Sequence, residues 1–189
     1  MNKVEFGICK LHVGLYTVDD EGNVTLGEPY HQKGAIGFTP ELDNNKSNLD
    51  ADNIEYWAEY TDGTFEGDVE VAKFDDDFKV KFLGYKRSTK GGIGKVKGAT
   101  KPRVYVAFEV TGDKEERREI FYNCALGAIK RGYNTIKSDG KEVDTEAITV
   151  TCSGDNASGF YTNSFYKDEA GYDEVFTSPT APVVDDESE

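Results

Sequence analysis

Residues Asn53 to Phe74 read NIEYWAEYTDGTFEGDVEVAKF, and this stretch sets the fold class. Apolar side chains recur at even spacing, Ile54, Tyr56 and Tyr60 before Asp62-Gly63 and Phe65, Val69 and Val71 after it, the period of a strand with one buried face. Asp-Gly tolerates the positive φ of a two-residue hairpin turn. The stretch therefore reads as a hairpin with Tyr60 opposite Phe65, Tyr56 opposite Val69 and Ile54 opposite Val71. Its other face then sets Glu59 against Glu66, Glu55 against Glu70 and Trp57 against Asp68. Like charges directly opposite destabilise a strand pair, so that face needs water, a metal or a basic partner surface.

Period two continues on both sides. Val4, Phe6 and Ile8 alternate with polar or small residues, and Leu11, Val13 and Leu15 do so one register over, which predicts a bulge near Lys10. After the hairpin, Asp75-Asp-Asp77 suits a helix start, Phe78 and Phe82 lie four apart beside Leu83, and Gly84 suits a helix stop. Further strands are expected at Val104 to Val110, Arg117 to Ala125, Thr145 to Cys152 and Phe160 to Lys167, the first two joined over Gly112-Asp-Lys114. Roughly eight strands and one short flanking helix predict a mainly β fold, a β-sandwich or barrel-like pair of antiparallel sheets.

With 189 residues the chain suits a single domain, and its aromatic content, 12%, suffices for a core. No apolar run approaches the roughly 20 residues of a membrane span, so membrane insertion is not expected. The start lacks the pattern of a signal peptide, so the protein is expected to be made in a cytoplasm. Cys9, Cys124 and Cys152 form no ligand-spaced pair and read as small buried hydrophobes. The net charge of -14 opposes tight binding to a phosphate backbone. It is unevenly placed: residues 1–85 hold 7 basic and 18 acidic side chains, Lys86 to Arg103 hold seven basic and no acidic ones, and beyond Lys167 there are eight acidic and no basic ones. The Gly-rich basic stretch reads as a mobile loop, and residues 177–189 as a disordered acidic tail, both outside the core.

Catalytic signatures are weak. His12 and His31 have no triad spacing, and His12 reads as a strand-face residue. Gly91-Gly-Ile-Gly-Lys-Val96 departs from a phosphate loop, with Thr89 in place of the first glycine and Val96 where a hydroxyl must bind magnesium. The acidic runs Asp19 to Asn23 and Asp75 to Asp77 lack full calcium-loop spacing or serve a helix start. No catalytic residue, cofactor site or metal site is assigned, and the chain is not expected to be an enzyme.

The order of motifs is more specific than any one of them. Ala51-Asp-Asn-Ile-Glu-Tyr56, Gly67-Asp-Val-Glu-Val-Ala72 and the helix up to Gly84 are followed by Val106-Ala-Phe-Glu-Val-Thr-Gly-Asp-Lys114, Phe121-Tyr-Asn-Cys124 and the strand Thr145 to Thr151. In this order they resemble the major tail (tail tube) proteins of long-tailed siphophages, the phi13/TP901-1-like family, over about residues 3 to 176. The basic stretch 86–103 and the acidic end depart from that pattern. The resemblance implies a tail tube domain over residues 1–176 and a virion structural protein that self-assembles into stacked hexameric rings. Its implied partners are a tape-measure protein, a tail terminator and distal tail or tip proteins, with double-stranded DNA only in transit. It also implies a long assembly loop, here about residues 40–65.

A ring of identical subunits needs two different complementary surfaces on each copy. The acidic hairpin face and the basic stretch are candidates, which makes Asn53, Glu55, Trp57, Glu59, Glu66, Asp68, Glu70, Lys86, Arg87, Lys90, Lys95, Lys97, Lys101 and Arg103 the expected inter-subunit residues. The alternative is a monomeric β-sandwich binding or adhesion module with Tyr56, Trp57 and Tyr60 as a stacking platform.

Overall fold

A computed structural model describes residues 7–51, 54–112, 116–133 and 144–185, and of 44–51 and 54–62 the backbone alone. The chain is mainly β, with antiparallel sheets and one short helix. Its strands are β1 (Gly7–Val18), β2 (Val24–Leu26), β3 (Tyr30–His31), β4 (Ala35–Phe38), β5 (Glu41–Ala51), β6 (Ile54–Val71), β7 (Tyr85–Arg87), β8 (Ile93–Lys95), β9 (Val104–Thr111), β10 (Arg118–Arg131), β11 (Glu146–Cys152) and β12 (Thr162–Phe165). The helix α1 spans Asp76–Leu83. The main sheet runs β2-β1-β9-β10-β11-β6-β4, with β3 on β1, β12 on β10 and β5 on β6. β4, at the far end, packs back against β1, so the sheet curls towards a barrel.

The sheet's inner face is filled by Leu11, Val13, Val106, Phe121, Ile148 and Val69 among others. Phe78, Phe82 and Leu83 of α1 join the same core with Phe74. On the opposite face of β1, β9 and β10, a smaller cluster gathers Tyr16, Tyr105, Ala107, Ile120, Tyr122 and Val175. β9 is thus buried on both sides, even-numbered residues inward and Tyr105 and Ala107 outward.

Keeping apolar side chains inward along these long strands requires changes of parity, and bulges supply them. The shift in β1 falls between Cys9 and His12 with Lys10 at φ 51, where the sequence places it. β10 changes parity twice, between Phe121 and Cys124 with Asn123 at φ 52, and between Leu126 and Ile129. Asn is among the side chains that best accept this conformation, and its Nδ2 donates to the Gly154 carbonyl at 2.9 Å.

Helix α1 matches its sequence signals except that Asp75, at the N-cap, makes no side-chain capping hydrogen bond and accepts from the Tyr30 hydroxyl at 3.4 Å instead. Asp76 and Asp77 occupy the first turn and Lys81 the last, and Gly84 closes the helix at φ 70 with its N–H donating to the Lys79 carbonyl. Glu146, at the start of β11, anchors the approach to the helix, accepting from the Phe74 N–H at 2.8 Å and the Arg131 Nε at 2.6 Å. Burial pushes its carboxyl up, but these donors and the nearby Lys79 ammonium hold it below the usual range.

Three expectations are corrected. Asp62-Gly63 is no turn: β6 runs through it to Val71, and β5 takes the place of the expected partner, so Tyr60 lies opposite Lys46 and Phe65 opposite Leu42. The chain reverses between Ala51 and Ile54, where Asp52 and Asn53 lie outside the described residues. An Asp-Gly pair marks a turn only when the flanking strands pair with each other, and here each finds more partners elsewhere. The first part of the basic stretch, up to Lys95, is a hairpin, with β7 on β8 and a turn closed from the Gly91 N–H to the Ser88 carbonyl at 3.0 Å. The acidic end also begins later than expected, because Pro179 is buried near Val175 under the smaller core cluster.

Candidate assembly surface

Three features make the candidate surface: a two-stranded arm, the outer face of β6 and β11, and the basic hairpin. The arm consists of β5 and the first part of β6, paired from Glu41–Glu66 out to Ala51–Ile54. From Phe65 to Val71, β6 also pairs with β11, and from Val69 it pairs with β4. Beyond Phe65, towards Ile54, its sheet partner among the described residues is β5 alone. Glu55, Trp57 and Glu59 are on this outer part of β6, opposite Asp50, Leu49 and Ser47, and their side chains are outside the described residues, as is Asn53.

Glu66, Asp68 and Glu70 therefore do not face Glu59, Trp57 and Glu55; on one side their Cα partners are Thr151, Thr149 and Ala147 of β11. Each has a hydroxyl near it on β11: Thr151 Oγ1 donates to Glu66 at 3.2 Å, Thr149 Oγ1 to Asp68 at 2.8 Å, and Thr145 Oγ1, just before the strand, to Glu70 at 2.5 Å. Lys130 of β10 reaches over to Asp68 at 2.7 and 2.9 Å. These two donors, Lys130 first, hold the Asp68 carboxyl below the usual range. Like-charge opposition occurs instead in the β5–β6 ladder, where Glu41 and Glu66, and farther out Asp50 and Glu55, are Cα partners.

An open groove of 540 Å³ lies along this face. Glu41, Asp43, Glu66 and Asp68 line it with hydroxyls from Thr39, Thr64 and Thr149, and Lys130 is the one cation among the described lining residues. Gly67 forms its floor, where a Cβ would stand 2.8 Å from the Pro40 Cα and overlap the Thr39 carbonyl. Only glycine lets β6 run this close beneath the segment leading into β5. Glu41, Asp43, Lys130 and the threonines are residues that sequence reasoning missed. Their own strands alternate legibly, but strand partners distant in sequence cannot be read from period two.

The seven basic residues divide by use. Lys101 is turned inward, its Nζ donating to the Leu126 carbonyl at 2.8 Å and to the Gly127 carbonyl, and burial, with Lys95 nearby, lowers its pKa. Arg103 donates to the Asn123 carbonyl at 3.4 Å, and Arg87 meets Asp77 at 2.5 Å. Lys86, Lys90, Lys95 and Lys97 are exposed and make no ion pair within the described residues. Beside the hairpin, Lys73, Lys79 and Arg131 line a second groove with Asp76, Tyr85 and Ile93.

Several solved chains overlay on this one. A chain of the anti-feeding prophage cap, a tube-terminating cap, is 10% identical, with a TM-score of 0.44 over 88% of this chain and 95% of its own. The sheath/tube terminator of an extracellular contractile injection system in its extended state gives 6% identity and 0.46 over 87% and 99%, and the sheath-tube complex of that system 7% and 0.44 over 87% and 94%. Scores below 0.5 at such identity leave the role of this chain to its own residues. No protein-family model matches the sequence, and no curated protein matches it. Among the described residues no three of His, Cys, Asp and Glu gather as metal ligands, and no helix is long and apolar enough to cross a membrane.

Proposed function

We propose that the chain is a structural, non-catalytic subunit of a tail tube, in a phage or a phage-tail-like particle, which assembles with its own copies into stacked hexameric rings that conduct the genome. The observation that carries this reading is the arm. The eight residues of β5 beyond Asp43 extend on the order of 25 Å on a ladder shared, among the described residues, with β6 alone. A two-stranded ribbon is marginal by itself in water, and its outer edge offers unpaired backbone groups to another chain. The arm also falls in the segment, about residues 40–65, that the resemblance to siphophage major tail proteins marks for assembly. The tape-measure protein, terminator, tip proteins and DNA in transit are partners under the same reading.

Negative-stain microscopy of the concentrated protein tests it, with a variant in which residues 45–61 are replaced by Asn-Gly. Wild type is expected to give rings or tubes, and the variant to stay monomeric with an unchanged circular dichroism spectrum. Dispersed wild-type monomers that bind glycans would overturn the proposal in favour of an adhesion module.

A further inference from the structure

Among the described residues, the two charged features of one chain are short of counter-charges within it. On the outer sheet face, Glu41 and Glu66 oppose each other across a ladder, Asp43 adds a third carboxylate, and Lys130, the one cation among the described lining residues, is already bound to Asp68. On the hairpin and just after it, Lys86, Lys90, Lys95 and Lys97 stand exposed without a carboxylate partner among the described residues, while Arg87, Lys101 and Arg103 are engaged. The groove and the hairpin share no lining residue and no ion pair in the chain.

We infer that the cationic β7–β8 hairpin of one copy docks in the acidic β5–β6–β11 groove of a second copy, Lys90, Lys95 and Lys97 pairing with Glu41, Asp43 and Glu66. Shape agrees with charge. The hairpin tip, Ser88 to Gly92, carries two glycines around which a Cβ would meet nothing within 4 Å, so it is narrow and presents Lys90 at its end. The groove is open, and its threonines offer hydroxyls around the carboxylates. Bringing ammonium groups between Glu41 and Glu66 converts a repulsive cross-strand pair into a bridged one. The two surfaces differ, so the contact is heterologous, and each copy gives a hairpin and receives one, the arrangement that closes into rings or continues along a stack. Charge reversal on either side should therefore be repaired by reversal on the other.

This rests on the reading of the chain as a self-assembling subunit, and its test is separable from that reading. An equimolar mixture of ordinary and 15N-labelled full-length protein at low salt is treated with a zero-length carbodiimide, which joins lysine to carboxylate only in contact, and the peptides are analysed by mass spectrometry. Mixed-isotope links between the 86–97 and 41–68 peptides are expected. They should fall at least tenfold in K90E/K95E/K97E and return when that variant is mixed with E41K/E66K. All the substituted residues are exposed, and circular dichroism verifies the fold of each variant. Absence of mixed-isotope links from wild type, or their survival in the triple variant, overturns the docking. Rings that form equally well from the triple variant overturn the docking alone, whereas cross-linked wild-type oligomers that never close into rings overturn the tube reading alone.

Discussion

His12 shows how one side chain ties strand and terminus together. Its ring stacks on His31 at 4.7 Å across the β1–β3 ladder and on Phe176 at 4.3 Å, and its Nδ1–H donates to the Lys10 carbonyl at the bulge. Arg118 lies against the same segment, 3.7 Å from the Tyr172 ring centroid and 4.4 Å from that of Phe176, with its Nε on Glu109 and an Nη on the Tyr172 carbonyl. Burial lowers the His12 pKa below its ordinary 6.5, and His31, Arg118 and Lys10 add to the effect against the Lys10 carbonyl. The folded state therefore binds this proton less readily than the unfolded chain, so its contribution to stability is present above about pH 6.5 and is lost as the pH falls below that value. Urea unfolding at pH 7.5 and 5.5 should show a smaller acid loss in His12→Phe, which keeps the stack and removes the charge. An equal loss in the two proteins would rule out His12 as the source.

At the scale of elements, α1 is held by its aromatic face more than by its own eight residues, too few for a stable helix in isolation. Phe82 is fully buried, 5.1 Å from the Phe78 ring and 6.0 Å from the Tyr30 ring, centroid to centroid. Phe82→Ala is expected to cost about 3–5 kcal/mol in denaturant unfolding, the range for deleting a buried aromatic ring. A loss below about 1 kcal/mol would mean that the neighbouring rings collapse into the space. The arm is the opposite case, an element attached through one edge of the sheet, so its removal should affect assembly and leave the unfolding midpoint of the body nearly unchanged.

For the whole molecule, a charge of -14 sets a general repulsion between copies against local attraction of hairpin to groove. The two respond to salt over different distances. At about 0.15 M the screening length is roughly 8 Å, which removes most of the repulsion between distant charges and spares ion pairs in contact; at 1 M it is roughly 3 Å and weakens the pairs as well. Self-association measured by sedimentation velocity should therefore pass through a maximum between low salt and 1 M NaCl. A steady rise across that range would show that ion pairs contribute nothing to the contact.

Spacing along the chain is enough to set the local grammar of this fold. The strand β9, the helix from its aspartates to Gly84, the bulge at Lys10 and the burial of Cys124 and Cys152 all follow from spacing within a few residues, and the structure has each of them. The candidate surface was legible in part: Glu66, Asp68 and Glu70 stood out by alternation, and the cationic stretch by composition. Only the tertiary structure decided that Asp62-Gly63 lies inside a strand, that Glu41 is the carboxylate opposite Glu66, and that three of the seven cations serve their own chain. The physical reason is that period two tells which face of a strand is apolar, whereas its partner is chosen by the curling of the whole sheet around one core.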